Sequence, residues 1–220
     1  MKNFIAKIGA VLLALGTVMA LSGCGEDSGT NANNGNGSNF VADAKMVDSR
    51  DGKTYKTVKI GDKVWMAENL NYQTSESMCY EDKPENCEKY GHLYDWNEAV
   101  TACPDGWHLP NKQELEDLRT LAGQKAGDID KAGSVLKSTI GWSENGNGTD
   151  GLGFGALPAG YYRSYDDDFD YEGNLASFWS STEIGSIGAY ALDLFYLNEN
   201  ADVNHSYKDN GFSVRCVKNP

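Results

Sequence analysis

Four cysteines in the body of the chain, Cys79, Cys87, Cys103 and Cys216, constrain its fold more than any other feature. An even count fits a disulfide framework, although four cysteines permit three connectivities. We favour Cys79–Cys87, which closes a short loop containing Pro84, and Cys103–Cys216, which ties the first expected helix to the last strand. In the chain-entropy treatment the short loop contributes ~2.5 kcal/mol and the long one ~4.7 kcal/mol. Zinc binding is the competing use of such residues. The long gap between Cys79 and Cys87 and the isolation of Cys216 do not fit the paired-ligand spacing of structural zinc sites.

Bridges persist only in oxidising surroundings, and the N-terminus provides a route there. Lys2 and Lys7 make a short positive start, residues 8–20 are apolar or small, and Leu21-Ser22-Gly23-Cys24 follows. Such an order fits a secretory signal. The apolar run is too short to span a ~30 Å hydrocarbon core as a permanent helix. Leu-Ser-Gly-Cys resembles the bacterial lipobox, which implies that residues 1–23 are removed and that Cys24 carries lipid. At ~0.8 kcal/mol per buried methylene, two or more acyl chains anchor a protein stably. Gly25, rather than an aspartate, after the cysteine favours the outer membrane as the destination. Residues 25–39 read GEDSGTNANNGNGSN, a composition that cannot offset the entropy of ordering, so residues 24–45 are expected to be a tether.

Residues 46–220 are long enough for one domain with a core of its own. Without Lys2 and Lys7, 17 basic residues face 32 acidic ones, a net charge of −15. That balance argues against nucleic acid as a partner. Residues 55–60 and 63–66 alternate about Gly61-Asp62, as a hairpin does. Asp95 with Glu98 and Asn111 with Glu114 are spaced as helix-capping pairs, Gly123 is a stop signal, and residues 128–138 carry a third helical pattern. Residues 142–155 (WSENGNGTDGLGFG) hold too much glycine for regular structure and are expected to form a long irregular loop. Short strands are expected near residues 154–162, 177–181, 189–197, 201–207 and 212–217. Two to three helices followed by a meander make an α+β fold with antiparallel sheet.

Several blocks carry a family resemblance. Val64-Trp65-Met66-Ala67-Glu68-Asn69-Leu70, Tyr90-Gly91-His92-Leu93-Tyr94, residues 103–110 (CPDGWHLP), Phe178-Trp179-Ser180-Ser181-Thr182-Glu183 and residues 211–217 (GFSVRCV) resemble, in that order, the Fibrobacter succinogenes major paralogous domain family. Residues 94–99 with Cys103, Trp107 and Glu114-Leu115 resemble the helical half of the C-type lectin-like fold. That fold pairs a cysteine on its first helix with one on its final strand, as Cys103 and Cys216 would be paired. The resemblance implies a fold and an exported setting, and brings no activity with it.

Formylglycine-generating enzymes have a related fold but use a reactive cysteine pair late in the chain. Here the one late cysteine, Cys216, is assigned to a bridge, and no catalytic residues are expected. The sugar-binding triplet of C-type lectins is absent too. Asp166, Asp168, Asp170 and Glu172 are instead the candidate ligands for a calcium ion, helped by Asn145, Asn147 and Asp150 in the preceding loop, since hard cations take six to eight oxygens. Tyr161, Tyr162, Tyr165, Phe169 and Tyr171 interleave with these acids. Tyr162 is expected in the core, with Tyr165 and Phe169 more exposed. Tyr165, Phe169, Tyr171, Asp166 and Asp168 are therefore the candidate ligand-binding residues, with a glycan or an envelope protein as partner, since tyrosine offers large contact area at low entropy cost. The expected function is that of a surface-displayed, non-catalytic binding lipoprotein. A structural lipoprotein with only a protein partner is the alternative.

Overall fold

The computed structural model describes residues 45–220. Cys24 and the lipidation and tether assignments lie outside the described residues. The described chain is α+β, with antiparallel sheets, four α-helices and two disulfides.

Five strands, β1 (Lys45–Val47), β2 (Thr54–Ile60), β3 (Lys63–Met66), β4 (Trp107–His108) and β10 (Val217–Lys218), form one sheet in the order β1-β2-β3-β10-β4. Gly61-Asp62 makes the expected turn, with Ile60 opposite Lys63 and φ +63° at Gly61. A second pair, β5 (Tyr161–Arg163) and β6 (Asp168–Asp170), is a short hairpin. The third sheet is the meander β7 (Leu175–Ile184), β8 (Gly188–Phe195) and β9 (Asp202–Tyr207).

The end of β3 and the middle of β7 are buried on both faces, since successive residues of a strand point to opposite sides. Trp65 and Phe178 join Val58, Leu118, Leu136 and Phe154 in one apolar cluster. Their neighbours Met66 and Trp179 join Leu70, Tyr94, Trp96 and Phe212 in another. Trp65, Trp96 and Trp179 are all buried, and the indole N–H groups of Trp96 and Trp179 donate to the carbonyls of Ser180 and Tyr94.

Four helices flank the sheets: α1 (Pro84–Tyr90), α2 (Trp96–Ala102), α3 (Lys112–Ala126) and α4 (Ala132–Leu136). Asp95 caps α2, accepting from the Glu98 N–H, while Asn111 and Glu114 form a complete capping box on α3. Three expectations need correction. The Cys79–Cys87 loop is itself helical, because Pro84 sits in the first turn of α1, where its missing N–H costs nothing. Gly123 does not stop α3; it lies inside the helix, where a Cβ would come within 2.8 Å of the Ile129 backbone. Gly127, in the left-handed conformation, is the stop. The third helical pattern is divided into a single 3-10 turn at Ile129–Lys131 and the short α4.

Both favoured bridges are present, Cys79–Cys87 and Cys103–Cys216. Residues 142–155 form the expected irregular connection, closed by local bonds: Asn147 Oδ1 accepts from the Trp142 N–H, and Asp150 Oδ1 accepts from the Gly155 N–H. No helix among the described residues is long and apolar enough to cross a membrane.

Candidate functional site

The stretch that holds the candidate acids and aromatics is the hairpin β5–β6. Its strands form because aromatic residues pair across them. Tyr162 stands opposite Phe169, with ring centres 5.4 Å apart, and Phe169 also packs on Tyr80 at 5.3 Å. On the other side Tyr161 stacks on Tyr171 at 6.0 Å and meets Phe212 edge-on at 5.6 Å. Phe169 is thus wedged between two rings and half-buried, which corrects the expectation that it stands exposed. Tyr162 is half-buried as well rather than in the core, and its hydroxyl donates to Asp167 at 2.7 Å. Tyr165, at the tip, is 92% exposed.

The acids of the hairpin are spoken for individually. Arg163 grips Asp166 through two bonds, 2.6 and 2.8 Å, and reaches Asp170 at 2.9 Å. The paired guanidinium holds the Asp166 carboxyl below its usual pKa. Asp168 Oδ1 accepts from the adjacent Phe169 N–H, and Glu172 Oε1 accepts from the Tyr90 hydroxyl at 2.8 Å and from Lys89. The four candidate calcium ligands therefore do not gather around one point. The structure brings Asp166 and Asp170 together on Arg163. Tyr171, at the end of β6, has φ +65°. For a bulky side chain that conformation is an outlier costing about 1–2 kcal/mol. It turns the chain back toward Asn174 and Leu175, whose N–H groups both donate to the Tyr171 carbonyl.

Beside the hairpin base lies a cleft of about 410 Å³ whose lining includes Tyr55, Asn69, Asn71, Cys87, Tyr90 and Arg215. Glu172, bonded to Tyr90, joins the cleft rim to the hairpin. Three of the blocks that carry the resemblance converge here. Asn69 donates to the Tyr90 carbonyl at 2.7 Å and to the Ser213 hydroxyl at 3.2 Å, and its Oδ1 accepts from Arg215 Nε at 2.6 Å. Arg215 is wholly buried without a bonded carboxylate. Its remaining donors go to the carbonyls of Met66, Phe154 and Gly155, and the rings of Phe154 and Phe178 lie against the guanidinium plane. Burial pulls its pKa down to about 9, against the opposing pull of Asp150 and Glu68, and leaves it charged at neutral pH. His92 is buried nearby; burial pushes it down to about 4, so the ring is neutral, and Nδ1 lies 2.8 Å from Asn71 Oδ1.

A second hollow, of about 290 Å³, contains Lys137. Its ammonium donates to the carbonyls of Phe195 and Asn198, both at 2.6 Å, and burial lowers its pKa to about 8. His108 bridges Glu114 at 3.0 Å and Asn219 at 2.7 Å, and His205 lies apart on β9, so the histidines form no relay.

Sequence reasoning missed Arg215, Asn69, Asn71 and Lys137. One signal was present: in Val214-Arg215-Cys216-Val217 an arginine sits in an otherwise buried run, and a charge in that position needs a cage of acceptors. No curated protein and no solved structure matches the chain significantly. A profile of the Fibrobacter succinogenes major domain family matches residues 58–218, which include the hairpin, most of the cleft lining and both bridges. The chain belongs to the Fibrobacter succinogenes major domain family.

Proposed function

We propose that this protein is a surface-displayed, non-catalytic binding lipoprotein, anchored through Cys24 and built on a C-type lectin-like fold. The observation that carries the reading is the bare ring of Tyr165 on a braced hairpin. The ring is 92% exposed, while the strands behind it are held by the Arg163 ion pairs and the Tyr80–Phe169–Tyr162 packing. An aromatic group presented this way gives a sugar ring or a protein side chain a flat apolar face at little ordering cost. Asp168, exposed beside it, is positioned to accept hydroxyl or amide donors. The signal-like N-terminus and the two disulfides support export, and the Cys103–Cys216 bond between the end of α2 and β10 supports the lectin-like reading.

The test is a glycan array and a pull-down from envelope extract with the full chain and its Tyr165→Ala variant. The variant should lose about tenfold or more in binding, the ~1–3 kcal/mol typical of a truncated anchor residue, with its near-UV circular dichroism unchanged. Binding equal to that of the unaltered protein removes the hairpin as the site. Phe169→Ala is not a clean second test, since Phe169 braces the hairpin and its loss disturbs the arm as a whole.

The alternative, an assembly lipoprotein with a protein partner only, draws on a different place. Ile187 (66% exposed) and Tyr207 (65% exposed), with Ile184, border a shallow hollow at the β7–β8 turn and the end of β9. Cross-linking in intact cells that captures one dominant protein through this end, with no glycan bound, favours that reading.

A further inference from the structure

Cys79, Cys87 and His92 come together in space although their spacing in sequence gives no sign of it. One ligand atom from each lies within 4.8 Å of the others, and among the described residues they are the single group of three that could hold a metal ion. In the oxidised chain the two sulfurs are bonded to each other and are not ligands. The backbone, however, fixes the three positions independently of that bond. Met78 and Leu93 exchange both N–H···O bonds, each 2.9 Å, which sets Cys79 beside His92. The Gly91 N–H donates to the Cys87 carbonyl at 2.9 Å, closing α1 so that Cys87 lies against the start of the segment that carries His92. Cutting the sulfur–sulfur bond therefore leaves both cysteines facing the imidazole.

The imidazole is also oriented as a ligand. Asn71 Oδ1, an acceptor, receives the hydrogen bond of the His92 Nδ1–H at 2.8 Å, which leaves the lone pair on Nε2. Metal-ligating histidines commonly have their second nitrogen fixed in this manner. Cys87 and Asn71 both line the 410 Å³ cleft, so one of the two sulfurs and the residue that orients the imidazole border open space. Two thiolates and one imidazole with an open position is a donor set that suits Zn²⁺ and similar borderline cations.

We infer that the Cys79–Cys87 disulfide is the closed state of a zinc-type metal site, opened by two-electron reduction and completed by His92. The opening step is balanced with a dithiol, which becomes a cyclic disulfide as the protein bond breaks and gains two hydrogens. A phosphine achieves the same, taking the oxygen of one water and leaving two thiols. Metal binding then displaces the two thiol protons. This inference does not depend on the binding role of the hairpin.

The full chain is reduced anaerobically with a water-soluble phosphine, freed of reductant, and treated with iodoacetamide in the presence or absence of Zn²⁺. Mass spectrometry reads the labelling rate at each cysteine. Zn²⁺ should slow labelling of Cys79 and Cys87 together, by about tenfold or more, and leave Cys103 and Cys216 unprotected. Co²⁺ in place of Zn²⁺ should give a thiolate charge-transfer band that the oxidised protein lacks. In H92Q the same Zn²⁺ titration should need at least about tenfold more metal, and in N71A about tenfold, as for other groups that orient a ligand. Equal labelling with and without Zn²⁺, whether the reduced chain keeps or loses its circular dichroism, overturns the inference. So does undiminished protection in H92Q.

Discussion

At the scale of single residues, the charge of Arg215 is a costly choice. A buried cation without a bonded carboxylate is stable only if its donors are met, and here one amide oxygen and three backbone carbonyls meet them. These acceptors belong to residues 66–69 and to the loop at residues 154–155, so one side chain stitches its own segment to two stretches that are distant in sequence. Lysine is the informative substitution. R215K keeps the charge but offers a point donor in place of the planar fork, leaving acceptors unsatisfied. We expect a loss of about 2–4 kcal/mol in urea denaturation, with the cleft residues Asn69 and Tyr90 showing the largest shifts in a heteronuclear NMR spectrum. A loss below about 0.5 kcal/mol would contradict the cage.

At the scale of elements, the N-terminus of α3 is where local sequence and tertiary structure meet on one carboxylate. Glu114 accepts from the Asn111 N–H at 2.9 Å, from Lys63 on β3 at 3.0 Å and from His108 on β4 at 3.0 Å. Burial works to raise its pKa, and these three partners overcome it and hold the carboxyl below the usual 4.5. A carboxyl lowered in the folded state stabilises the fold above its unfolded pKa, and that contribution disappears as pH falls through the lowered value. Glu114→Gln is therefore expected to cost about 1–3 kcal/mol at pH 7 and to flatten the loss of stability below about pH 4.5. Thermal melts across pH 3 to 7 check both parts. The cap was legible in Asn111-x-x-Glu114, because a capping box is complete within four residues. Hairpin β5–β6 was not. Its aromatic alternation is interrupted by the acidic turn, and the partner that buries Phe169 is Tyr80, far away in sequence.

At the scale of the whole molecule, the two disulfides close loops that do not overlap, with sequence separations of 8 and 113. Their contributions should add, because neither loop shortens the other. By loop entropy the long bridge exceeds the short one by about 2 kcal/mol. Cys103→Ala/Cys216→Ala should therefore lower the urea midpoint clearly more than Cys79→Ala/Cys87→Ala. The reverse order would place structural strain, not loop entropy, in control.

The amino-acid sequence by itself determined the α+β class, the Gly61-Asp62 hairpin, the α3 cap and the family, and it favoured the disulfide pairing without excluding the other two connectivities. Each of these rests on short-range periodicity, on cap and turn chemistry, or on blocks that read in order along the chain. Tertiary structure alone decided that Phe169 braces and Tyr165 projects, that Arg163 gathers Asp166 and Asp170, and that Asn69, Tyr90 and Arg215 share one cleft. It also decided that His92 faces the Cys79–Cys87 pair. The physical reason is common to all of them. Burial and hydrogen-bond satisfaction are settled only when segments distant in sequence close on one another, and no local pattern records which acceptor a buried donor will find.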